Sequence, residues 1–233
     1  MKKILGALAL STCYHIGFAQ EQPADYGQIH GNFQADIQSY KADSIIKAPV
    51  VPDKMRMNAF TNLIYTKGAF TAGVRYESYM NALQGFDPRF KGSGLPYRFA
   101  SYENGDLHVT VGNFYEQFGN GLIFRSYEER GLGLDNAMDG IRLKYKVNKG
   151  VYVKGVYGKS RAFFAQSPAI MRGADAEIQL DELLFSEDSE NDLRISLGGS
   201  VLSKYEPDLD PKYVLPENVT AGAGRLNISE RKL

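Results

Sequence analysis

Strict two-residue alternation of apolar and polar side chains, repeated in run after run, constrains this chain more than any other feature. In Ile141 to Val147 the apolar set Ile141, Leu143, Tyr145 and Val147 is interleaved with Arg142, Lys144 and Lys146. Ala174, Ala176, Ile178 and Leu180 alternate with Asp175, Glu177, Gln179 and Asp181. Phe70, Ala72, Val74 and Tyr76 alternate with Thr71, Gly73, Arg75 and Glu77, and Leu107, Val109 and Val111 with His108, Thr110 and Gly112. Successive side chains of a strand point to opposite faces, so each run predicts a strand with one apolar and one wet face. No convincing amphipathic helix competes with this period.

The pattern predicts strands over 27–40, 56–66, 69–80, 97–103, 106–115, 139–147, 150–160, 173–184, 192–203 and 218–229. Lys67-Gly68, Asn104-Gly105 and Asn148-Lys149 are two-residue turns, two of them with the Asn or Gly that hairpins favour, and Ser186 to Asn191 is a slightly longer polar turn. The other joints, 41–55, 81–96, 116–138, 161–172 and 204–217, are long, so short and long connections alternate. An antiparallel up-and-down transmembrane β-barrel does this, with tight turns on the periplasmic rim and long loops outside. Pro49, Pro52, Pro88, Pro96, Pro168, Pro207, Pro211 and Pro216 all fall in or beside the long joints, where no ladder hydrogen bond is lost. Tyr26, Tyr40, Tyr65, Tyr79, Tyr97, Tyr157 and Tyr205 fall near strand ends, where their rings suit a membrane interface.

Composition agrees. Lys plus Arg and Asp plus Glu both number 27, so the basic footprint of a nucleic-acid binder is absent. Mean hydropathy is −0.32 and no run of 18 apolar residues occurs, which excludes a helical membrane protein but not a barrel.

Met1-Lys2-Lys3, the apolar stretch Ile4 to Leu10 and the small residues before Gln20 form an export signal over 1–19, cut after Ala19. Residues 20–233 are then a barrel domain in the Gram-negative outer membrane, with membrane lipid as its surroundings. Leu10-Ser11-Thr12-Cys13 also resembles a lipoprotein cleavage box, so lipidation at Cys13 stays open. The chain ends on the polar Ser229-Glu230-Arg231-Lys232-Leu233 and not on a closing aromatic strand. The expectation is therefore that the ten strands are the N-terminal part of a larger barrel, because an unclosed sheet in lipid leaves unpaired edges.

Catalysis is not expected. His30 and His108 alone remain after signal removal, Gly-x-Ser-x-Gly is absent, and neither a metal site nor a cofactor is indicated. The densest polar cluster lies in 112–142, where Arg125, Glu128, Glu129, Arg130, Asp135 and Asp139 sit among glycines and aromatics. A loop folded into the barrel mouth and narrowing it with paired charges fits this cluster; a solvated loop with weak surface ion pairs is the alternative. Arg75, Glu77, His108, Arg142, Lys144, Lys146, Lys154, Asp175 and Glu177 are expected to face the lumen.

Tyr115-Glu116-Gln117-Phe118-Gly119-Asn120-Gly121, Arg125 to Arg130 and Leu134 to Gly140, together with Tyr26 to Gln34, resemble a family of uncharacterised exported proteins of Bacteroidota. The resemblance spans the whole mature chain and implies an outer-membrane β-barrel longer than this chain; it implies no activity. Asp43-Ser44-Ile45 resembles that phylum's short O-glycosylation motif, with Ser44 the acceptor. The functional expectation is a pore, transporter or assembly component acting on an unidentified solute or protein. The alternatives are a surface-binding protein with a plugged barrel and a soluble periplasmic β protein that binds an apolar ligand.

Overall fold

The computed structural model describes residues 26–48, 50–184, 193–207 and 216–230. The export signal, Cys13 and the polar turn at 186–191 lie outside the described residues. Ten strands form one antiparallel sheet in chain order: β1 (Gln28–Ser39), β2 (Met55–Lys67), β3 (Phe70–Met80), β4 (Gly92–Asn104), β5 (Leu107–Phe114), β8 (Met138–Asn148), β9 (Val151–Ala162), β10 (Ala165–Gln179), β11 (Leu193–Tyr205) and β12 (Asn218–Glu230). The short β6 (Glu128–Glu129) and β7 (Leu134–Asp135) pair with each other in the segment between β5 and β8. Among the described residues one α-helix, α1 (Leu180–Leu184), follows β10, and short 3-10 turns occur at Pro88–Phe90 and Arg130–Leu132.

Each expected strand is present, and two-residue turns at 68–69, 105–106 and 149–150 share one rim. Gly68 and Gly105 open their turns at φ +54°, the positive value that the first position of a type II′ hairpin requires. On the other rim lie the long connections 40–54, 81–91, 115–137 and 206–217.

The ten strands do not close: among the described residues β1 pairs only with β2 and β12 only with β11. Four expectations are corrected. The joint 161–172 is not a loop. β9 and β10 are joined by Phe163-Phe164 alone, and Pro168 sits where the β9–β10 register shifts between Gln166 and Ile170. Pro96 is likewise inside β4, at the register shift opposite Arg75 and Glu77. A bulge tolerates a residue that cannot donate to the ladder, which is why proline does not end these strands. The run predicted to 184 stops at Gln179, where Leu180–Leu184 turns helical. Tyr79 and Tyr97 are not at a rim interface: Tyr79 is buried against Phe60 and Phe90, and Tyr97 stacks on Tyr115.

Beyond Phe99 the upper part of β4, 92–98, has β3 on one side and no described strand on the other. The β9–β10 tip leans over this break. Phe163, at φ +58°, packs edge-on against Phe90 at 4.8 Å, and Phe164 against Tyr79 at 5.9 Å. A phenylalanine rarely takes that backbone conformation, and the packing of both rings holds it there.

The register assigns a polarity to each face. Ile29, Leu63, Val74, Ala100, Val111, Ile141, Tyr157, Val201 and Leu226 lie on one face through their pairings and are largely exposed. The opposite face carries most of the charged strand residues and is covered over its middle strands by 115–137; Arg98 and Arg172 are on the apolar face, opposite Val74 and Tyr157. The two buried apolar clusters are on that covered side: Phe114, Phe118, Phe124, Met138 and Val156 form one, and Phe60, Tyr79, Ala82 and Phe90 the other.

Candidate functional site

The segment 115–137 is two lobes laid across the charged face. In the first, Ser126 N–H donates to Glu116 O at 2.8 Å, Phe118 N–H donates to Phe124 O at 3.1 Å, and Gln117 bridges Arg125. This folds 116–126 into a narrow double arm whose Phe118 and Phe124 rings pack at a tilt, 4.9 Å apart. Phe118 seats on β10 at Gly173, where a Cβ would come within 2.8 Å of its ring, so the bare backbone makes the seat. The Arg225 side chain of β12 lies against Gly119 at the tip.

The second lobe carries β6 and β7 toward the other side. Arg130 lies over the Phe60 ring of β2 at 4.6 Å and reaches Gln34 of β1 at 3.4 Å. One segment therefore touches both β1 and β12. Nine spacings of about 4.8 Å would set those strands roughly 43 Å apart in a flat sheet. Gly119 to Arg130 spans at most about 38 Å fully extended, and it is folded back on itself. The sheet must curl around the segment.

Two charged groups fix it, and a third joins β10 to β12 beside its tip. In the first, Arg75 of β3 and Arg161 of β9 converge on Glu77, Glu128 and Asp135. Arg75 reaches Glu77 Oε1 at 2.7 Å, Glu128 at 3.0 Å and Asp135 at 2.5 Å; Arg161 reaches Glu77 Oε2 and Asp135 Oδ2, each at 2.6 Å. Arg130 adds a contact of 2.8 Å to Glu128. Three cations thus meet three carboxylates, and the Arg75, Glu77 and Arg161 side chains are at most 5 % exposed. The Tyr115 hydroxyl donates to Asp135 Oδ1 at 3.1 Å; burial and the Asp135 charge hold that phenol protonated, well above its usual range.

In the second, Glu116 descends onto β8 and β9, with Lys144 Nζ at 2.8 Å, Lys154 Nζ at 3.1 Å and Arg142 Nη1 at 3.8 Å. Arg142 also donates to Tyr115 O at 3.1 Å and to Thr110 Oγ1 and His108 Nε2 at 2.9 Å. Arginine has no acceptor, so His108 accepts at Nε2 and its proton sits on Nδ1. In the third, Arg225 binds Asp175 at 2.5 Å and Glu177 at 2.7 Å.

Burial by itself would raise the Glu116 carboxyl. The Lys144 contact, the Gln117 N–H and the Lys154 charge outweigh it and hold the group below the ordinary glutamate value of 4.5. A depressed folded pKa means that this tether contributes fully above 4.5 and fades as pH falls through the lower folded value. The expected result is a first lobe that stays protected from protease above pH 4.5 and becomes cleavable as pH falls through the lower folded value, before global unfolding; protection that persists down to the onset of global unfolding contradicts it.

The expected lumen-facing residues Arg75, Glu77, His108, Arg142, Lys144, Lys146, Lys154, Asp175 and Glu177 share the covered face by register. The expected constriction divides. Glu128, Arg130 and Asp135 join the network. Arg125 is exposed and stacks over Tyr127 at 4.3 Å, and Glu129 is exposed. Asp139 belongs to β8, not the loop, and binds Arg98 and Gln166 beside the break in the sheet. Ser44 is exposed in the turn after β1, where Asp43 Oδ1 accepts from Ile45 N–H at 2.8 Å.

Sequence reasoning missed Glu116, Arg161 and Arg225. Arg225 was readable from the alternation of Ala221, Ala223 and Arg225 with Gly222, Gly224 and Leu226. Among the described residues no cluster of His, Cys, Asp and Glu is placed to hold a metal, and no helix is long and apolar enough to cross a membrane, which says nothing of strands.

Fold and site define a class: an all-β antiparallel sheet, curled around an inserted segment that is pinned by ion pairs. Residues 1–233 match the model of a family of unknown function (DUF6029), and the chain belongs to that family. No curated protein matches it.

Proposed function

We propose that this chain forms part of an integral outer-membrane β-barrel, exported by its N-terminal signal, whose lumen is narrowed by 115–137. The reversed polarity of the sheet carries this reading. The apolar side chains of ten strands look outward, uncovered, while charged side chains are buried under an inserted segment. A sheet in water would bury the first set and expose the second; a barrel in lipid needs this order. Among the described residues β1, of 12 residues, and β12, of 13, each have an unpaired edge, and lipid does not tolerate such edges, so on this reading further strands complete the wall between them. The test is gel mobility and extraction of the full-length protein: release from membranes only by detergent and a heat-dependent band shift support the barrel, and full solubility without detergent overturns it.

The balanced network of Arg75, Arg161 and Arg130 with Glu77, Glu128 and Asp135 specifically favours a closed resting lumen, as in a gated transporter, an assembly component or a plugged surface binder. Arg130→Ala is expected to raise single-channel conductance in planar bilayers at least twofold, and Arg125→Ala, on the exposed side, to leave it unchanged. Equal currents for wild type and Arg130→Ala contradict the constriction.

A further inference from the structure

The second charged group is unbalanced in a way that the first and third are not. Lys144 and Lys154 are direct cross-strand partners on β8 and β9, and Arg142 follows on the same face. Like charges placed directly opposite destabilise a sheet unless an anion lies between them. The neighbouring wall does not supply that anion: Asp175, the other cross-strand partner of Lys154, is taken by Arg225 at 2.5 Å and by Ser200 at 2.6 Å. Among the described residues the carboxylate shared by the three cations comes from the inserted segment. Glu116, with its side chain 4 % exposed, sits between Lys144 and Lys154. Arg142 Nε is buried with no hydrogen-bond partner, while its Nη2 is oriented by His108 and Thr110. The wall therefore offers three cations and a spare N–H around a position filled by a carboxylate of the inserted segment.

We propose that this position is an oxyanion site of the lumen, and that Glu116 is a tethered occupant that a solute carboxylate or phosphate displaces as the first lobe lifts. The substrate class is thus a small anionic solute. The inference rests on the reading of the charged face as a lumen wall, and its test is separable from that reading because binding is measured without transport.

Full-length protein in detergent is melted in 10 mM phosphate and in chloride of matched ionic strength. A ligand that binds only the folded form raises the melting temperature. Glu116→Gln empties the site, and its melting temperature is expected to rise by about 4 °C or more in phosphate over chloride. Glu116→Gln combined with Lys144→Gln and Lys154→Gln is expected to show no difference. If Glu116→Gln does not fold, wild type is read by tryptic cleavage after the exposed Arg125, which phosphate is expected to accelerate several-fold over chloride. A folded Glu116→Gln protein that melts identically in both salts overturns the proposal, as does cleavage indifferent to phosphate. A phosphate-dependent shift without any current in bilayers supports the site and counts against the pore alone.

Discussion

Glu77→Ala is expected to lower stability by about 3–5 kcal/mol, among the largest effects of any single substitution in the described chain. Glu77 accepts from Arg161 at 2.6 Å and 2.9 Å, contacts Arg75 at 2.7 Å and accepts from the Tyr79 hydroxyl at 3.2 Å. Removing it leaves three arginines against Glu128 and Asp135, two of those arginines with almost no access to water. An unpaired buried charge costs far more than the pair contributes, so the companion variant discriminates. Glu77→Leu with Arg161→Leu removes one charge of each sign, leaves Arg75 on Asp135 at 2.5 Å, and is expected to recover most of the loss. Urea unfolding in detergent measures both. A single variant within about 0.5 kcal/mol of wild type would mean that the cluster is solvated, not buried.

The second large effect is on the other face. Ile141→Arg changes a residue that is 49 % exposed on the apolar face, flanked across the ladder by Val111 and Tyr157. In water such a change is nearly neutral, within about 0.5 kcal/mol. In lipid, a cation near the mid-plane of a barrel costs about 2–4 kcal/mol. The expected outcome is loss of membrane-assembled protein and of its heat-dependent band shift. Lys144→Ile, on the opposite face in the same strand, is expected to assemble normally. Normal assembly of Ile141→Arg would place that face in water.

Much of this architecture was legible in the residues because period-two alternation and glycine turns are local signals. β3, β8 and β12 can be drawn from the sequence with errors of a residue or two. The upper half of β4 could not: Gly92-Ser93-Gly94-Leu95-Pro96 has no alternation, and its strand form depends on pairing with 77–79. β10 was hidden in the same way, since Pro168 signals a loop unless a bulge absorbs it. Closure was not legible either, because alternation reports faces and says nothing of edges.

The charged face divides along the same line. Alternation alone places Arg75, Arg142, Lys144 and Asp175 together. It cannot find Arg161, whose side chain reaches Glu77 only because the end of β9 leans across the sheet, or Glu116, whose meaning comes from the three cations beneath it. Loop charges were the least readable. Arg125 and Arg130 look alike in sequence, and only the fold of the two lobes sends one outward and the other onto Phe60.

If the apolar face meets lipid and the charged face water, adjacent residues of β8 lie in different surroundings. Cys13 is the single cysteine of the chain. In a Cys13→Ser background, a fluorophore is attached to a cysteine placed at position 143 or at position 144 of the membrane-assembled full-length protein. The probe at position 143 is expected to be quenched by nitroxide-labelled acyl chains and shielded from aqueous iodide, and the probe at position 144 to show no acyl-chain quenching. Iodide quenching of both probes with no acyl-chain quenching of either would contradict it.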